Sequence, residues 1–154
     1  MIKFEEIIFA FIGTVGFGVL FSVSKKHLIH CGITGGIGWF IYLIAFYFSK
    51  SAYIATLLSA FAITRVSLFL SVKRKTPATV FLLTGIFTLV PGAGVYYTAY
   101  YLFLNQTALG YDYLMNTLKI ALAISIGIVL GYAVKSDIIK MIKSKKHELK
   151  PTDK

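Results

Sequence analysis

The sequence predicts an all-α integral membrane protein with about five transmembrane helices, the fourth of them broken at Pro91-Gly92. Of its 154 residues, 57% are hydrophobic and only 14% are charged, whereas soluble domains carry about 25% charged residues. The chain divides into five apolar runs, and about 20 apolar residues are enough for a helix to cross a bilayer. The fourth run is too long for one straight span, and a Pro-Gly pair interrupts its centre.

The five predicted spans form one helical membrane domain, residues 1–134. They cover residues 7–23, 31–48, 52–72, 77–104 and 113–134. The remaining residues, 135–154, are predicted to be a basic cytoplasmic tail, with a short surface helix to about Lys146 and disorder beyond it. Two of the connections between spans, residues 24–30 and 105–112, are predicted to be polar loops.

Basic residues are distributed unevenly between the two sides of the predicted membrane. Twelve of the 16 lysines and arginines fall in segments that five crossings place on the side of the tail, and two fall on the other side. Because cytoplasmic segments carry the excess of basic residues, the sequence predicts an N-terminus outside and a C-terminus in the cytoplasm. These charges do not lie on a soluble, aromatic-bearing surface, so nucleic acid is not an expected partner.

The segment around Pro91 predicts an interrupted helix inside the membrane. Proline removes a backbone donor and clashes with the preceding turn, and Gly92 and Gly94 permit backbone conformations that a helix interior excludes. In lipid, interrupted backbone persists only where protein or water satisfies its polar groups. The fourth run is therefore predicted to be one crossing made of two half-helices.

The second half-helix is predicted to begin near Ala93 and to point its first N–H groups at the break. Helix N-termini bind anions, carboxylates included, and transporters place substrate carboxylates at such breaks. Tyr96, Tyr97 and Tyr100 follow at helical spacing, where their hydroxyls could contact a polar solute. The alternative is a structural proline kink followed by an interfacial belt of tyrosines.

Two basic residues fall inside predicted spans. A charge at the depth of Arg65 costs about 2.5 kcal/mol or more unless it extends to the surface or faces a cavity. Arg65 therefore either extends towards Lys73 or faces the cavity and binds an anionic substrate. Lys119 is predicted to extend to the outer surface. The predicted substrate-binding residues are Arg65, Pro91, Gly92, Ala93, Gly94, Tyr96, Tyr97 and Tyr100.

Motifs for other kinds of chemistry are absent from the sequence. There is no Ser/His/acid set, no Cys/His spacing for a metal and no phosphate-binding loop. All six carboxylates, Glu5 and Glu6 among them, fall near or beyond the predicted span ends. The sequence therefore predicts no catalytic residues, no bound metal and no cofactor.

Four segments resemble one known family. They are residues 16–21 (GFGVLF), 35–39 (GGIGW), 75–81 (KTPATVF) and 89–97 (LVPGAGVYY). In this order and spacing they resemble the threonine/serine exporter (ThrE) family, in the form of the short membrane domain that many bacteria carry as a separate small subunit. The last segment is the most specific part of the resemblance.

The resemblance implies export of threonine and serine across the bacterial inner membrane, with a larger membrane subunit of the same family as partner. A two-subunit branch of the family is associated with export of the dicarboxylate succinate. The chain departs from the family pattern at Thr88, where a proline is common, and near Leu68, where an acidic residue is common. These departures put a proton-coupling role of this subunit in doubt.

Two functions are consistent with the sequence. The first is a subunit of a two-component secondary exporter of threonine, serine or related small carboxylates such as succinate. Its substrate would bind where the Pro91 break meets a matching break in the partner or in a second copy of the chain. The alternative is a non-transporting structural or assembly protein, whose GxxxG helices would pack in an oligomer and whose basic tail would bind anionic lipid.

Overall fold

All regular structure in the computed structural model, which describes residues 4–134, is helical. The helices are α1 (Phe4–Leu20), α2 (Lys25–Ser49), α3 (Ala52–Arg74), α4 (Ala78–Ile86), α5 (Gly92–Phe103) and α6 (Thr107–Ala133), with a 3₁₀ turn at Phe87–Leu89 between α4 and α5. The predicted all-α class is confirmed. The predicted tail, with its surface helix to Lys146, lies outside the described residues.

Three helices, α2, α3 and α6, are longer than the apolar runs that predicted them, whereas α1 ends at Leu20, three residues before the predicted end of its run. α2 begins at Lys25 and α6 at Thr107, so the predicted polar loops at residues 24–30 and 105–112 were wrong and mostly form the first turns of these helices. The physical reason is that a helix satisfies its own backbone wherever it lies. Hydropathy therefore marks the apolar part of a helix and not its ends.

Short turns with left-handed residues reverse the chain on either side of α3. Lys50 has a φ of 54° and its N–H bonds to Phe46 O at 2.9 Å, which is the usual way for a helix to end. Lys75 ends α3 in the same manner, with a φ of 51°. The first turn of α2 and the last turn of α3 consequently lie at the same end of the bundle, where Arg74 contacts His30.

α3 is the central helix, and it packs against α2, α4 and α6. Ile63 is fully buried, and it lies against both Gly38 of α2 and Gly85 of α4. Beside it, the Ser59 hydroxyl donates a hydrogen bond of 2.6 Å to Gly38 O. Small residues thus let three helices approach closely at one level.

Both GxxxG motifs are used within this chain. On α2, Gly32 lies against Phe11 and Val15 of α1. On α6, Gly127 lies against the backbone of α3, and a Cβ at this position would be 2.6 Å from Leu57 O. The faces that the structural alternative assigned to oligomer packing are therefore occupied by neighbouring helices of the same chain.

Three helices, α2, α3 and α6, are long and apolar enough to cross a membrane. α4 and α5 make a fourth span if the bent pair is one crossing. α1 has 17 residues, at the lower limit of about 17–25 residues for a transmembrane helix. The count of about five spans therefore stays a prediction.

Candidate functional site at the broken fourth span

The fourth span breaks where the sequence predicted. After the 3₁₀ turn, Val90 is extended, Pro91 precedes the first residue of α5, and the two halves of the span meet at a bend of 49°. The Gly92 N–H bonds to Val90 O at 2.8 Å, and the first bond of the new helix runs from Val95 N–H to Pro91 O at 3.1 Å. The second half-helix begins at Gly92, one residue before the predicted Ala93.

The glycines after Pro91 act differently from the prediction. Among the described residues no glycine has a positive φ, and Gly92 and Gly94 are both helical. Gly94 lies against Thr117 of α6, and a Cβ there would be 2.3 Å from the Thr117 hydroxyl oxygen. Gly94 therefore permits close approach of α5 to α6. Gly92 has open space around it, so its small size is not required by packing in this chain.

The break lies towards one end of the bundle, the end where residues 49–52 join α2 to α3, which we call the α2–α3 end. Leu89, just before the break, packs with Ala60 of α3 and Ile124 of α6. Ala60 follows the start of α3 by eight residues, or about 12 Å. Just after the break, Gly94 contacts Thr117, the neighbour of Asn116, which accepts a 2.7 Å hydrogen bond from the Tyr53 hydroxyl in the first turn of α3.

Beyond this point α5 pairs with the first half of α6 to form a projecting hairpin, the tyrosine arm (α5 and residues 107–117). α6 begins nine residues before Asn116, so the arm extends about 14 Å past the first turn of α3. The predicted i, i+4 pairs are present, because the rings of Tyr96 and Tyr100 stack at 6.0 Å between centroids. Tyr97 and Tyr101 stack at 6.2 Å, and each of them lies 5.4 Å from Tyr113 of α6.

The structure does not bring Arg65 to the break. Its guanidinium donates hydrogen bonds to Val134 O at 2.6 Å and to Gly131 O at 3.3 Å. These carbonyls belong to the C-terminal end of α6, where a cation is favourable. Val134 follows Thr117 by 17 residues, or about 25 Å along the helix, so Arg65 lies near the opposite end of α6 from the α5 contact.

Lys119 extends towards the α2–α3 end, where its ammonium lies 5.8 Å from the centre of the Tyr53 ring. In the predicted orientation, with the N-terminus outside, this end of the bundle faces the outer surface.

Glu6, which the sequence placed near the end of a predicted span, lies in the same cleft as Thr88, three residues before Pro91. The Trp39 indole N–H donates a 3.3 Å hydrogen bond to Glu6 Oε2. Trp39 precedes the end of α2, Ser49, by ten residues, or about 15 Å. Because Glu6 in the first turn of α1 lies at the level of Trp39, α1 begins about 15 Å short of the α2–α3 end.

Glu6 lines a cleft of about 330 Å³ between α1, α2 and the 3₁₀ turn. The lining residues are Glu6, Phe9, Ala10, Gly13, Phe17, Trp39 and Thr88. Five of them belong to α1, and Ala10, Gly13 and Phe17 follow Glu6 at helical spacing. The spacing of these residues could have shown from the sequence that they share one face of α1, but not which helices that face contacts. A second cleft, of about 430 Å³ between α2 and α3, is lined by apolar side chains except for Ser49.

Within residues 4–134 no group of three His, Cys, Asp or Glu side chains comes together to hold a metal ion. The chemistry at the break is instead that of charge and hydrogen bonding. The Glu6 carboxylate and the Thr88 hydroxyl line one cleft, and three residues after Thr88 a helix begins whose first N–H groups precede its hydrogen-bond ladder.

Residues 4–134, all helical in their regular structure, contain three helices long and apolar enough to cross a membrane and one bent pair, which is the architecture of a multi-pass membrane protein. The comparison with known families agrees, because the profile of the family described as Threonine/Serine exporter, ThrE, matches residues 6–134. The chain belongs to this family and is a membrane transport protein of the amino-acid export type. No curated protein and no solved structure matches the chain.

Proposed function

We propose that this chain is one subunit of a two-component secondary exporter and not an enzyme. Its substrates are threonine, serine or related small carboxylates such as succinate. It acts in the bacterial inner membrane, with its N-terminus outside and its C-terminus in the cytoplasm. The observation that carries the proposal is the interruption of the fourth span at Val90-Pro91, since secondary transporters bind their substrates at such interruptions.

The proposed site is built on the first turn of α5. The N–H groups of Ala93 and Gly94 come before the first α5 hydrogen bond, which Val95 donates to Pro91 O. These groups lie at the positive end of the helix and favour a substrate carboxylate. Tyr96, Tyr97 and Tyr100 continue the same helix with exposed side chains. The proposed site is formed by Pro91, Gly92, Ala93, Gly94, Tyr96, Tyr97 and Tyr100.

Arg65 is left out of the proposed site. The Arg65 guanidinium contacts carbonyls at the far end of α6, and a small substrate cannot reach from there to the first turn of α5.

A second membrane chain completes the site in this proposal. α5 packs along α6, while Gly92 and Ala93 are exposed and the side chain of Tyr96 is 62% exposed. The larger family subunit or a second copy of this chain would cover that side, shielding the broken backbone from lipid. A solute gradient or the proton motive force would drive export, because the sequence contains no nucleotide-binding motif.

The test is efflux of radiolabelled threonine, serine and succinate from cells that express the chain together with its genomic neighbour. Pro91→Ala combined with Gly92→Leu is expected to lower efflux about tenfold or more, because positions that bind the transported solute are changed. The leucine has room, since a Cβ at Gly92 has no neighbour within 4 Å. Unchanged efflux of all three solutes would overturn the site.

Gly16→Leu is the matched control for this double variant. Gly16 also has open space around it, and it lies on α1, outside the proposed site. Its efflux is expected to equal that of the unmodified protein.

A structural or assembly role is the second candidate, and the tyrosines favour it. Tyr47 and Tyr53 lie at the α2–α3 end, and the tyrosines of the arm lie at and beyond it. Aromatic residues are enriched in this way at a membrane surface. One observation argues against this candidate. Both GxxxG motifs pack against helices of the same chain, so they are not available for packing in an oligomer. It predicts no efflux of any tested solute and no change of thermal stability on adding one.

A further inference from the structure

We propose that the end of the bundle where α2 begins and α3 ends binds the phosphate group of an anionic phospholipid. This end, which we call the basic end, carries five cationic side chains: Lys25, Lys26, Lys73, Arg74 and Lys75. It lies opposite the α2–α3 end, and the proposed export site does not include it. The inference therefore stands whether or not the chain exports the solutes named above.

Two contacts bring the first turn of α2 onto the last turn of α3. The Arg74 guanidinium contacts Nε2 of His30. Nε2 of His27 lies 3.2 Å from the Thr76 hydroxyl oxygen. The His27 ring is buried and stands edge-on to the Phe81 ring of α4, with 5.9 Å between centroids. The cations of the two turns consequently belong to one surface, although they are far apart in the sequence.

The basic end has no carboxylate beside it in the part of the chain that the structure describes. Glu6, in the first turn of α1, lies at the level of Trp39. Trp39 follows His30 by nine residues, or about 14 Å along α2. Asp112 belongs to the tyrosine arm. Because like charges repel one another when no counter-charge is near, a bound anion would stabilise this end.

The start of α2 adds to the positive potential. Ser24 precedes the helix without a side-chain capping bond. The N–H groups of Lys25 and Lys26 come before the first bond of the helix, which His27 donates to Ser24 O at 2.8 Å. A helix N-terminus carries partial positive charge, which binds phosphate and disfavours cations nearby. Two lysines in this first turn are therefore unfavourable without an anion.

Arg74 is the side chain best suited to hold a phosphate. It is exposed, and its guanidinium has five N–H donors, one of which is directed at His30 Nε2. The imidazole nitrogen accepts this bond and so orients the guanidinium. The other N–H groups can bind two phosphate oxygens at once, which a lysine ammonium cannot do with the same geometry.

The surface next to the basic end favours a lipid over a free phosphate. On α3, the Lys73 ammonium lies 5.9 Å from the centre of the Phe69 ring, and Phe69 is 41% exposed. On α2, Ile29 follows Lys25 by one turn and is 61% exposed. Each helix thus presents a cation at its end and an exposed apolar side chain one turn further in.

A phospholipid presents its own groups in this order, with the phosphate outermost and the acyl chains beneath it. In the proposed orientation of the chain, the basic end faces the cytoplasmic leaflet. Anionic lipids of that leaflet attract basic segments beside a membrane span. The charge and the apolar surface therefore match one ligand.

The first experiment compares four compounds that separate the phosphate from the chains. The full chain, solubilised in a neutral detergent, is melted with 1-palmitoyl-2-oleoyl-phosphatidylglycerol (POPG), with phosphatidylcholine or diacylglycerol of the same chains, and with glycerol 3-phosphate. At ten times its Kd, POPG is expected to raise the melting temperature by about 3–6 °C. The other three compounds are expected to raise it less at the same concentration.

Each of the other outcomes overturns the inference. An equal effect of glycerol 3-phosphate would mean that a soluble phosphate is the ligand. If phosphatidylcholine had the same effect, the net negative charge would not be recognised. An equal effect of diacylglycerol would mean that only the apolar surface binds.

The second experiment removes the phosphate ligand. Arg74→Gln is expected to weaken POPG binding about tenfold, and Arg74→Lys is expected to weaken it less, because the charge remains while the two-pronged geometry is lost. Lys50→Gln, which removes one exposed cation at the opposite end, is the control and is expected to leave binding unchanged. Residues 135–154 are the same in all variants, so their lysines cannot cause a difference. Unchanged POPG affinity in Arg74→Gln would overturn the site.

The third experiment tests the start of α2 by a change of sign. Replacing Lys25 and Lys26 together by glutamine is expected to raise the melting temperature in lipid-free detergent, because two cations leave a helix N-terminus. The same variant is expected to gain less from POPG than the unmodified protein does. If the lysines were only structural, the lipid-free protein would melt lower and the gain from POPG would be unchanged, which would remove α2 from the site.

Discussion

The bundle body, meaning α1 to α4 with the second half of α6, and the tyrosine arm differ in how their helices meet. In the body, helices meet through glycine, alanine, serine and threonine. A Cβ at Gly35 would be 1.8 Å from the Thr14 hydroxyl oxygen, and one at Gly38 would be 2.4 Å from Ile63. In the arm, the two helices meet partly through stacked tyrosine rings, including Tyr101 on Tyr113.

The difference extends to how polar groups are satisfied. Buried hydroxyls in the body bond to carbonyls of their own helices, as Thr34 does to His30 O at 2.9 Å and Thr64 to Ala60 O at 2.8 Å. Such bonds satisfy the hydroxyl donors within the helix itself. The break lies where the body meets the arm, between the 3₁₀ turn and α5. This comparison teaches that the body is held together by close helix contacts, whereas the first turn of α5 begins with N–H groups outside the helical ladder.

The largest expected effect comes from breaking the body. In Gly127→Leu a Cβ would lie 2.6 Å from Leu57 O and 2.8 Å from the Ala60 methyl. Backbone cannot move aside cheaply, so overpacking is expected to cost about 1–3 kcal/mol or more. The measurement is the yield and melting temperature of the detergent-solubilised protein. Gly16→Leu is the control, and equal stability of the two variants would contradict the register of α6 on α3.

The helix break was predictable because its cause is local. Proline acts on its own backbone and on the preceding turn, so Pro91 marks the break whatever surrounds it. The close approach of the GxxxG faces was also predictable, because a glycine on a helix surface allows contact wherever a partner exists. The partner itself was not predictable from the motif, and here it is another helix of the same chain.

The placements of Glu6 and Arg65 were not predictable, because both depend on register between helices. Glu6 lies beside Trp39 since α1 is held against α2 by contacts such as Thr14 with Gly35. Nothing near Glu6 in the sequence specifies that level. Arg65 reaches the end of α6 because Gly131 fixes α6 against Thr64. The sequence left two directions open for the Arg65 side chain and could not identify the carbonyls that it contacts.

A smaller effect is expected where Arg65 ties the body together. Arg65→Met removes the donor to Val134 O and Gly131 O and the cation at the end of α6. The expected loss of stability is about 1–2 kcal/mol, seen as a lower melting temperature with an unchanged KM for threonine. Lys119→Met, the other cation within a predicted span, is expected to cost less. A raised KM in a stable Arg65→Met protein would return Arg65 to the binding site.

The smallest effect is expected at the joint between body and arm. Tyr53→Phe removes the hydroxyl that donates to Asn116 Oδ1 at 2.7 Å but keeps the ring beneath the Lys119 ammonium. Because a single hydrogen bond contributes about 0.5–1.5 kcal/mol, the melting temperature is expected to fall only slightly. A cycle with Asn116→Ala isolates the bond from other changes. If the two single variants and the double variant lose stability additively, this hydrogen bond does not couple the arm to the body, and the chain connections through α6 and through Val90-Pro91 hold the arm without it.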